Sequence, residues 1–325
     1  MGTYIARRLL QSILVMLGVT LLSFLTLHLA GDPTYLYVSE RASEEEIIQT
    51  RQLLGFDRPL PVQYFDFLGR LVQGDLGTSL RARKPALELV LERLPATLEL
   101  TLFAMILSTL LAIPIGIVSA TRRGTPLDGG IMLFAMIGQS VPGFWLGIML
   151  ILSVGLGLRW LPISGHVAVI QPMLDGELSE AIGNIPDAIL HLIMPGITVG
   201  VFSLSRNARL VRSSMLEVLS QDYIQTARAK GLTERRIIMR HAFRNALIPV
   251  VTILGLEFGF LLSGVVVAET VFSWPGVGRL VFNAINQRDI PLVQASVVLF
   301  SMLFVGLNLI VDLLYAQLDP RIRLR

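Results

Sequence analysis

The sequence predicts an all-α integral membrane protein with six transmembrane helices and both termini cytoplasmic. It also predicts a small helical extracytoplasmic cap after the first span and a short cytoplasmic helix between spans four and five. Three observations lead there. The 325 residues are 53% hydrophobic and 16% charged, with a mean hydropathy of +0.66. A soluble chain carries about 25% charged residues, so this one has too little polar surface to cover itself in water. Six segments hold the roughly 20 apolar residues that a helix needs to cross a bilayer. Lys and Arg are distributed unevenly between those segments, which sets an orientation.

The spans are roughly 9–30, 97–120, 130–156, 188–205, 247–268 and 293–316. The first follows Arg7 and Arg8 and is too long for a signal peptide. No small-x-small cleavage site follows it, so it reads as a retained span. The fourth is the least hydropathic and contains His191 and Pro195. Pro114 and Pro142 interrupt the second and third, which membrane helices tolerate when neighbours re-satisfy the freed carbonyls. With the N-terminus inside, the inner segments hold 16 basic residues in 67 positions, against 11 in 121 outside. The chain therefore divides into a tail and first span (1–30), a cap (31–96) and a core of five spans (97–325). Within the cap, amphipathic helical patterning runs from Glu44 to Leu54 and again from Val62 to Val72, separated by Gly55, Pro59 and Pro61.

The cytoplasmic stretch 206–246 carries nine of the 27 basic residues. Inside it, Asp222 to Pro249 reads DYIQTARAKGLTERRIIMRHAFRNALIP. Asp222 can cap a short helix beginning near Tyr223. Ala227 and Ala229 favour helix, and Gly231 can end it with a left-handed residue. A second helix with Thr233 as its N-cap follows. There Arg236, Arg240 and Arg244 recur at i, i+4 and i+8, and Pro249 opens the next span. The result is a compact knob suited to docking on a soluble partner. Contact with anionic lipid, worth about 1 kcal/mol per basic residue, accounts for Arg206, Arg209 and Arg212. It does not account for a glycine-terminated helix flanked by Asp222 and Glu234.

This segment resembles the EAA loop of bacterial ABC importer permeases. Thr226, Ala227 and Gly231 fall at the loop's alanine, alanine and glycine positions, with Gln225 at its glutamate position. Its Ile-x-Leu-Pro becomes Ala246-Leu247-Ile248-Pro249, at a longer interval than the general pattern. The tract DYIQTARAKG with RNALIPVVT is similar to the dipeptide and oligopeptide branch of these permeases. Four more stretches resemble that branch along almost the whole chain. They are Gly31-Asp32-Pro33, Gly74 to Ser79, Phe272 to Gly278, and Leu318-Asp319-Pro320-Arg321.

The resemblance implies a permease subunit of an ATP-driven importer of di- or oligopeptides, multi-pass in the cell inner membrane. A glutathione or nickel-chelate importer of the same architecture is the alternative. The implied partners are a second homologous permease in a heterodimer, two ABC ATPase subunits, an extracytoplasmic solute-binding protein, and membrane lipid. It makes the cytoplasmic helix a coupling helix, with Asp222, Tyr223, Gln225, Thr226, Ala227, Ala229, Lys230 and Gly231 contacting the ATPase.

The residues are consistent with a transport subunit that is not itself an enzyme. The two lysines, Lys84 and Lys230, sit in no Gly-Lys-Ser/Thr phosphate loop. ATP and Mg would then be bound by the partner ATPases, and no cofactor is expected in this chain. No catalytic constellation is recognisable. With no cysteine and four scattered histidines (His28, His166, His191, His241), no metal site is expected either. No base-reading or stacking pattern calls for nucleic acid. A secondary transporter acting alone would call for an inverted repeat or a proton-relay set of acids, and neither is evident.

Few ionisable residues fall inside the spans. Glu99 and Asp312 lie near span ends, and Glu257 lies near the middle of the fifth. A carboxylate in hydrocarbon costs several kcal/mol unless it faces a cavity, pairs or is neutralised. Two readings of Glu257 stand: a polar group lining the translocation path, or a protonated or Arg-paired structural residue. Gln139 and Ser140, before Pro142, are further candidates for the path.

Overall fold

A computed structural model describes residues 2–29, 33–39 and 41–318. Gly31, Asp32 and Asp319–Arg321 lie outside the described residues, as do the side chains of Pro249 and Asp312. The described chain is mostly helical and contains no strand. It divides into two compact units, one formed by 1–94 with 280–325 and the other by 95–279.

In the first unit, α1 (Gly2–Leu29) packs along α13 (Ile290–Leu318). The two amphipathic segments of the sequence are helices α2 (Glu44–Leu53) and α3 (Leu60–Val72). Ser43 begins α2 with a capping box: its hydroxyl accepts from the Glu46 N–H, and the Glu46 carboxylate accepts from the Ser43 N–H. α3 presents Gln63, Tyr64 and Phe67 to α1. His28 Nε2 lies 3.0 Å from Gln63 Oε1, Thr20 Oγ1 lies 3.0 Å from Tyr64 Oη, and the Phe24 ring packs against Tyr64 and Phe67. The Gly74–Ser79 stretch ends on the carboxylate of Asp289, just ahead of α13. Asp289 accepts from Ser79 Oγ at 2.5 Å and from the N–H groups of Leu80 and Arg81.

The second unit contains most of α4 (Ala86–Thr121), then α5 (Pro126–Ser140) and α6 (Gly143–Leu150), the last continued by a wide π turn over Ile151–Gly157. α7 (Ile170–Leu174) precedes α8 (Leu178–Leu219). α9 (Asp222–Ala229), α10 (Glu234–Arg236) and α11 (Phe243–Val271) follow, and α12 (Val277–Asn286) begins at this unit's end. α4 and α8 approach closely through small residues. A Cβ on Gly116 would lie 2.6 Å from Val211 Cβ and 2.7 Å from the Ala208 carbonyl oxygen, and one on Gly200 would lie 3.1 Å from the Ala104 carbonyl oxygen.

Among the described residues, four helices are long and apolar enough to cross a membrane: Ala6–Thr26, Ala86–Thr121, Leu178–Leu219 and Ile290–Ile310. A fifth is added if Pro126–Ser140 and Gly143–Gly157, bent by 104°, form one span. The third predicted span is thus sharply broken at Val141-Pro142, because Pro142 has no N–H to donate and restarts the helix as its N-cap. The fourth predicted span, 188–205, is only the middle of the 42-residue α8, which carries Pro186 and Pro195 internally. α11 has 29 residues, about 44 Å of helix against a hydrocarbon core of about 30 Å.

Candidate functional site: a short helix anchored by one face and a buried polar node

α9 is set on the second unit by one face. Ile224 is fully buried and Ala227 nearly so. Both pack in a cluster with Ala120 of α4, Val211 and Met215 of α8, and Ile237, Ala242, Ala246 and Val250 further along the chain. The other faces carry Asp222, Tyr223, Gln225, Thr226, Ala229 and Lys230, all exposed. Ala227 therefore anchors the helix and is not on its outer surface, although both alanines belong to the same sequence pattern. Tyr223 is fixed as it leaves the helix: its hydroxyl accepts from Asn245 Nδ2 at 2.8 Å and donates to the His241 carbonyl at 3.4 Å.

The ends of α9 differ slightly from the sequence expectation. Gln221, and not Asp222, occupies the N-cap, with no side-chain cap bond. Asp222 sits in the first turn, where its negative charge meets the positive end of the helix. At the other end Gly231 has φ +74°, and its N–H donates to the Arg228 carbonyl at 2.9 Å, as a left-handed helix terminator does. Arg228 Nε donates to Glu234 Oε1 at 2.8 Å across this turn. Thr233 holds the next N-cap position but makes no side-chain cap bond.

The expected separate basic helix is instead continuous with the following long helix. α10 runs through a π turn (Ile237–Ala242) directly into α11, so Pro249 lies inside α11 and does not open it. Arg236, Arg240 and Arg244 are all exposed.

Further along the same two helices lies a polar node. Glu257 is buried, with Oε1 3.2 Å from Arg206 Nη2 and Oε2 accepting from Asn207 Nδ2 at 2.5 Å. The Arg206 guanidinium stands 5.4 Å from the centre of the Phe260 ring, which stacks on Phe202 at 5.2 Å. Among the described residues, Ser203 Oγ, Ser205 Oγ, Arg206 Nε, Asn207 Oδ1 and Glu257 Oε1 are buried with no hydrogen-bond partner. Arg206 is thus tied to a carboxylate. The same holds for Arg212, whose Nε and Nη2 donate to Asp128 at 2.8 and 2.9 Å. Arg209 remains exposed. Of the other path candidates, Gln139 is half-buried and Ser140 is exposed, its hydroxyl donating to the Met136 carbonyl at 3.0 Å. A Cβ on the intervening Gly138 would collide with Ser205 Oγ, so α5 touches α8 beside the node.

The Phe272–Gly278 stretch closes around Glu269. Thr97 Oγ1 donates to Glu269 Oε1 at 2.7 Å and accepts from the Val277 N–H at 2.8 Å, while the Arg279 N–H donates to Glu269 Oε2 at 2.9 Å. A Cβ on Gly276 would collide with the Glu269 carboxylate. Trp274 is fully buried and donates from Nε1 to the Ala96 carbonyl at 2.8 Å. Its ring meets that of His166 edge-on, and His166 Nε2 lies 2.6 Å from Glu99 Oε2. Among the described residues no group of His, Cys, Asp or Glu is arranged to hold a metal ion.

Sequence reasoning missed Asp128, Glu269 and the His166–Glu99 pair. Only Asp128 carried a local signal, the Thr125-Pro126-x-Asp128 start of α5.

A helical chain with several helices long and apolar enough to cross a membrane, and a short helix anchored on them by one face, has the make-up of a membrane protein. The sequence comparisons give that class its family. Residues 112–324 match the family described as binding-protein-dependent transport system inner membrane component, and residues 1–101 match the N-terminal region of such membrane components. The chain is 43% identical to the dipeptide transport system permease protein of Escherichia coli strain K12, over 98% of both chains. It is 43% identical to the oligopeptide transport system permease protein of Bacillus subtilis strain 168 and 42% identical to the glutathione transport system permease protein of Salmonella choleraesuis, over 99% of each chain. The chain belongs to the binding-protein-dependent transport permease family, in its dipeptide, oligopeptide and glutathione branch.

Proposed function

We propose that this chain is the membrane-spanning subunit of an ATP-driven importer that carries di- or oligopeptides across the cytoplasmic membrane. α1, α4, the bent α5–α6 pair, α8, α11 and α13 form six spans, with both termini inside. Residues 31–96 form the extracytoplasmic cap and 97–325 the core permease domain. The chain pairs with a second, related permease. Two separate ATPase subunits bind ATP and Mg, and an extracytoplasmic solute-binding protein delivers the substrate to the outer face. This subunit performs no covalent chemistry.

The carrying observation is the division of labour on α9. Ile224 and Ala227 hold it to the ends of α4, α8 and α11, while Asp222, Tyr223, Gln225, Thr226, Ala229 and Lys230 are left to solvent. A helix fastened this way passes an applied push to the long helices. Closure of the ATPases around bound ATP displaces α9, and the helices that grip it tilt to expose the path on the opposite face.

The path runs beside Arg206. A guanidinium that is one-third exposed on a membrane helix is costly against lipid, so this face of α8 and α11 meets water or protein. Glu257 contributes by holding and neutralising Arg206, and Gln139 and Ser140 lie at the break between α5 and α6. The neighbouring Ser203 and Ser205 hydroxyls and Asn207 Oδ1, without hydrogen-bond partners among the described residues, suit a wet passage for peptide carbonyls and amides.

The test is uptake by proteoliposomes containing the permease pair, the ATPases and the binding protein. ATP-dependent accumulation of a labelled dipeptide supports the reading. Accumulation of glutathione or a nickel chelate in preference to peptides transfers it to that substrate. Uptake by this chain alone without ATP contradicts it.

A further inference from the structure

A second polar structure stands beside the apolar cluster under α9. Asp128, in the first turn of α5, is buried at 5% exposure. Its two carboxylate oxygens are met by four donors from three parts of the chain. Arg212 of α8 donates from Nε and Nη2 at 2.8 and 2.9 Å. Ser119 of α4 donates from Oγ at 2.5 Å, and the Gly124 N–H in the α4–α5 turn donates at 3.0 Å. Gly124 has φ +78°, which aims that N–H inward. The Thr125 hydroxyl caps the start of α5 by accepting from the Asp128 N–H at 3.4 Å.

A two-pronged Arg–carboxylate pair fixes orientation as well as distance. Arg212 stands one turn before Met215, which together with Val211 forms the floor beneath Ile224 and Ala227. The apolar cluster under α9 is held by non-directional contacts, which permit sliding between helices. The Asp128 clamp is the directional contact beside it. It joins α8, where α9 is seated, to the end of α4 and the start of α5.

We infer that the Asp128–Arg212 clamp, completed by Ser119 and Gly124, is the positioning device that transmits displacement of α9 to the α4–α5 pair. Asp128 and Arg212 are positioning residues here and contact neither ATP nor peptide. This inference rests on α9 being the ATPase docking helix. Without the clamp the ATPases still close and hydrolyse ATP, but α8 slips against the α4–α5 turn and part of each stroke moves no substrate.

The test uses the whole importer in proteoliposomes and measures peptide taken up per ATP hydrolysed. With Asp128→Asn, the expected result is an assembled complex with retained ATP hydrolysis. Its uptake-to-hydrolysis ratio falls by about fivefold or more, the low end of ordinary coupling between sites. Arg212→Lys keeps the charge but loses the two-pronged geometry, and it lowers the ratio in the same direction by a smaller factor. Should Asp128→Asn fail to assemble, Arg212→Lys decides the matter. An unchanged ratio in the assembled variant overturns the inference. A fall in uptake and hydrolysis by the same factor also overturns it, because the clamp then serves only stability. Absence of any ATPase on the unmodified permease is a different result, which contradicts the docking role of α9 itself.

Discussion

Arg206 and Glu257 form an ion pair at 3.2 Å between α8 and α11, and the carboxylate side chain is fully buried. Removing one member of a buried pair leaves an uncompensated charge, at a cost of about 3–5 kcal/mol. Arg206→Ala, which strands the buried Glu257 carboxylate, is therefore expected to lower thermal stability in detergent sharply. Replacing both members, as in Arg206→Met with Glu257→Leu, is expected to restore stability, because well-packed apolar pairs often match a buried ion pair. If Arg206 serves the path, the double variant stays folded yet transports poorly. Full transport by that variant would reduce the pair to a structural role.

Ala227 and Ala229 are two residues apart on α9 but face opposite environments. Overpacking a filled site costs about 1–3 kcal/mol, so Ala227→Leu is expected to destabilise the cytoplasmic cluster and shift α9. Ala229→Leu is expected to leave stability unchanged. Unfolding curves of the two purified variants check this directly.

Gly231 is required for its backbone and not for space, since nothing lies within 4 Å of a Cβ built there. At φ +74°, Gly231→Ala is expected to cost about 1 kcal/mol or somewhat more in strain. Gly231→Asn is expected to cost less, because Asn tolerates the left-handed region. Hydrogen exchange at the Leu232 amide, which closes on the Ala227 carbonyl, should be faster than in the unmodified chain for Gly231→Asn and fastest for Gly231→Ala.

Thr97 uses one hydroxyl twice, donating to Glu269 and accepting from the Val277 N–H. Thr97→Val keeps the shape and strands both partners. An unsatisfied buried polar group costs about 1–3 kcal/mol, and thermal unfolding should show a loss of that order. Thr97→Ser should retain most of the stability. Gly276→Ala should destabilise the same loop by collision with the Glu269 carboxylate.

These residues also mark what the sequence could and could not reveal. Apolar length was enough to locate the helices long and apolar enough to cross a membrane, because it follows from local composition. The glycine end of α9 was legible because a left-handed residue leaves a local signature. The break at Pro142 was visible as a proline, but the 104° bend was not, since neighbouring helices set the angle. α8 and α4 outran their predicted spans because helix propensity continues past the apolar window. The clamp at Asp128 and the pair at Glu257 depend on partners 84 and about 50 residues away, which no local pattern specifies. Ala227 showed the converse limit: its place in the sequence pattern did not reveal that it is buried in the apolar cluster, away from the exposed face of α9.

The most direct test of the central claim is co-purification of the ATPase subunits with this chain after a change confined to the exposed face of α9. Ala229→Arg adds bulk and charge where the chain has no packing to disturb. The account predicts that the unmodified chain retains the ATPases in mild detergent, while the Ala229→Arg chain, folded and with unchanged thermal stability, loses them. Equal recovery of the ATPases with both chains would contradict it.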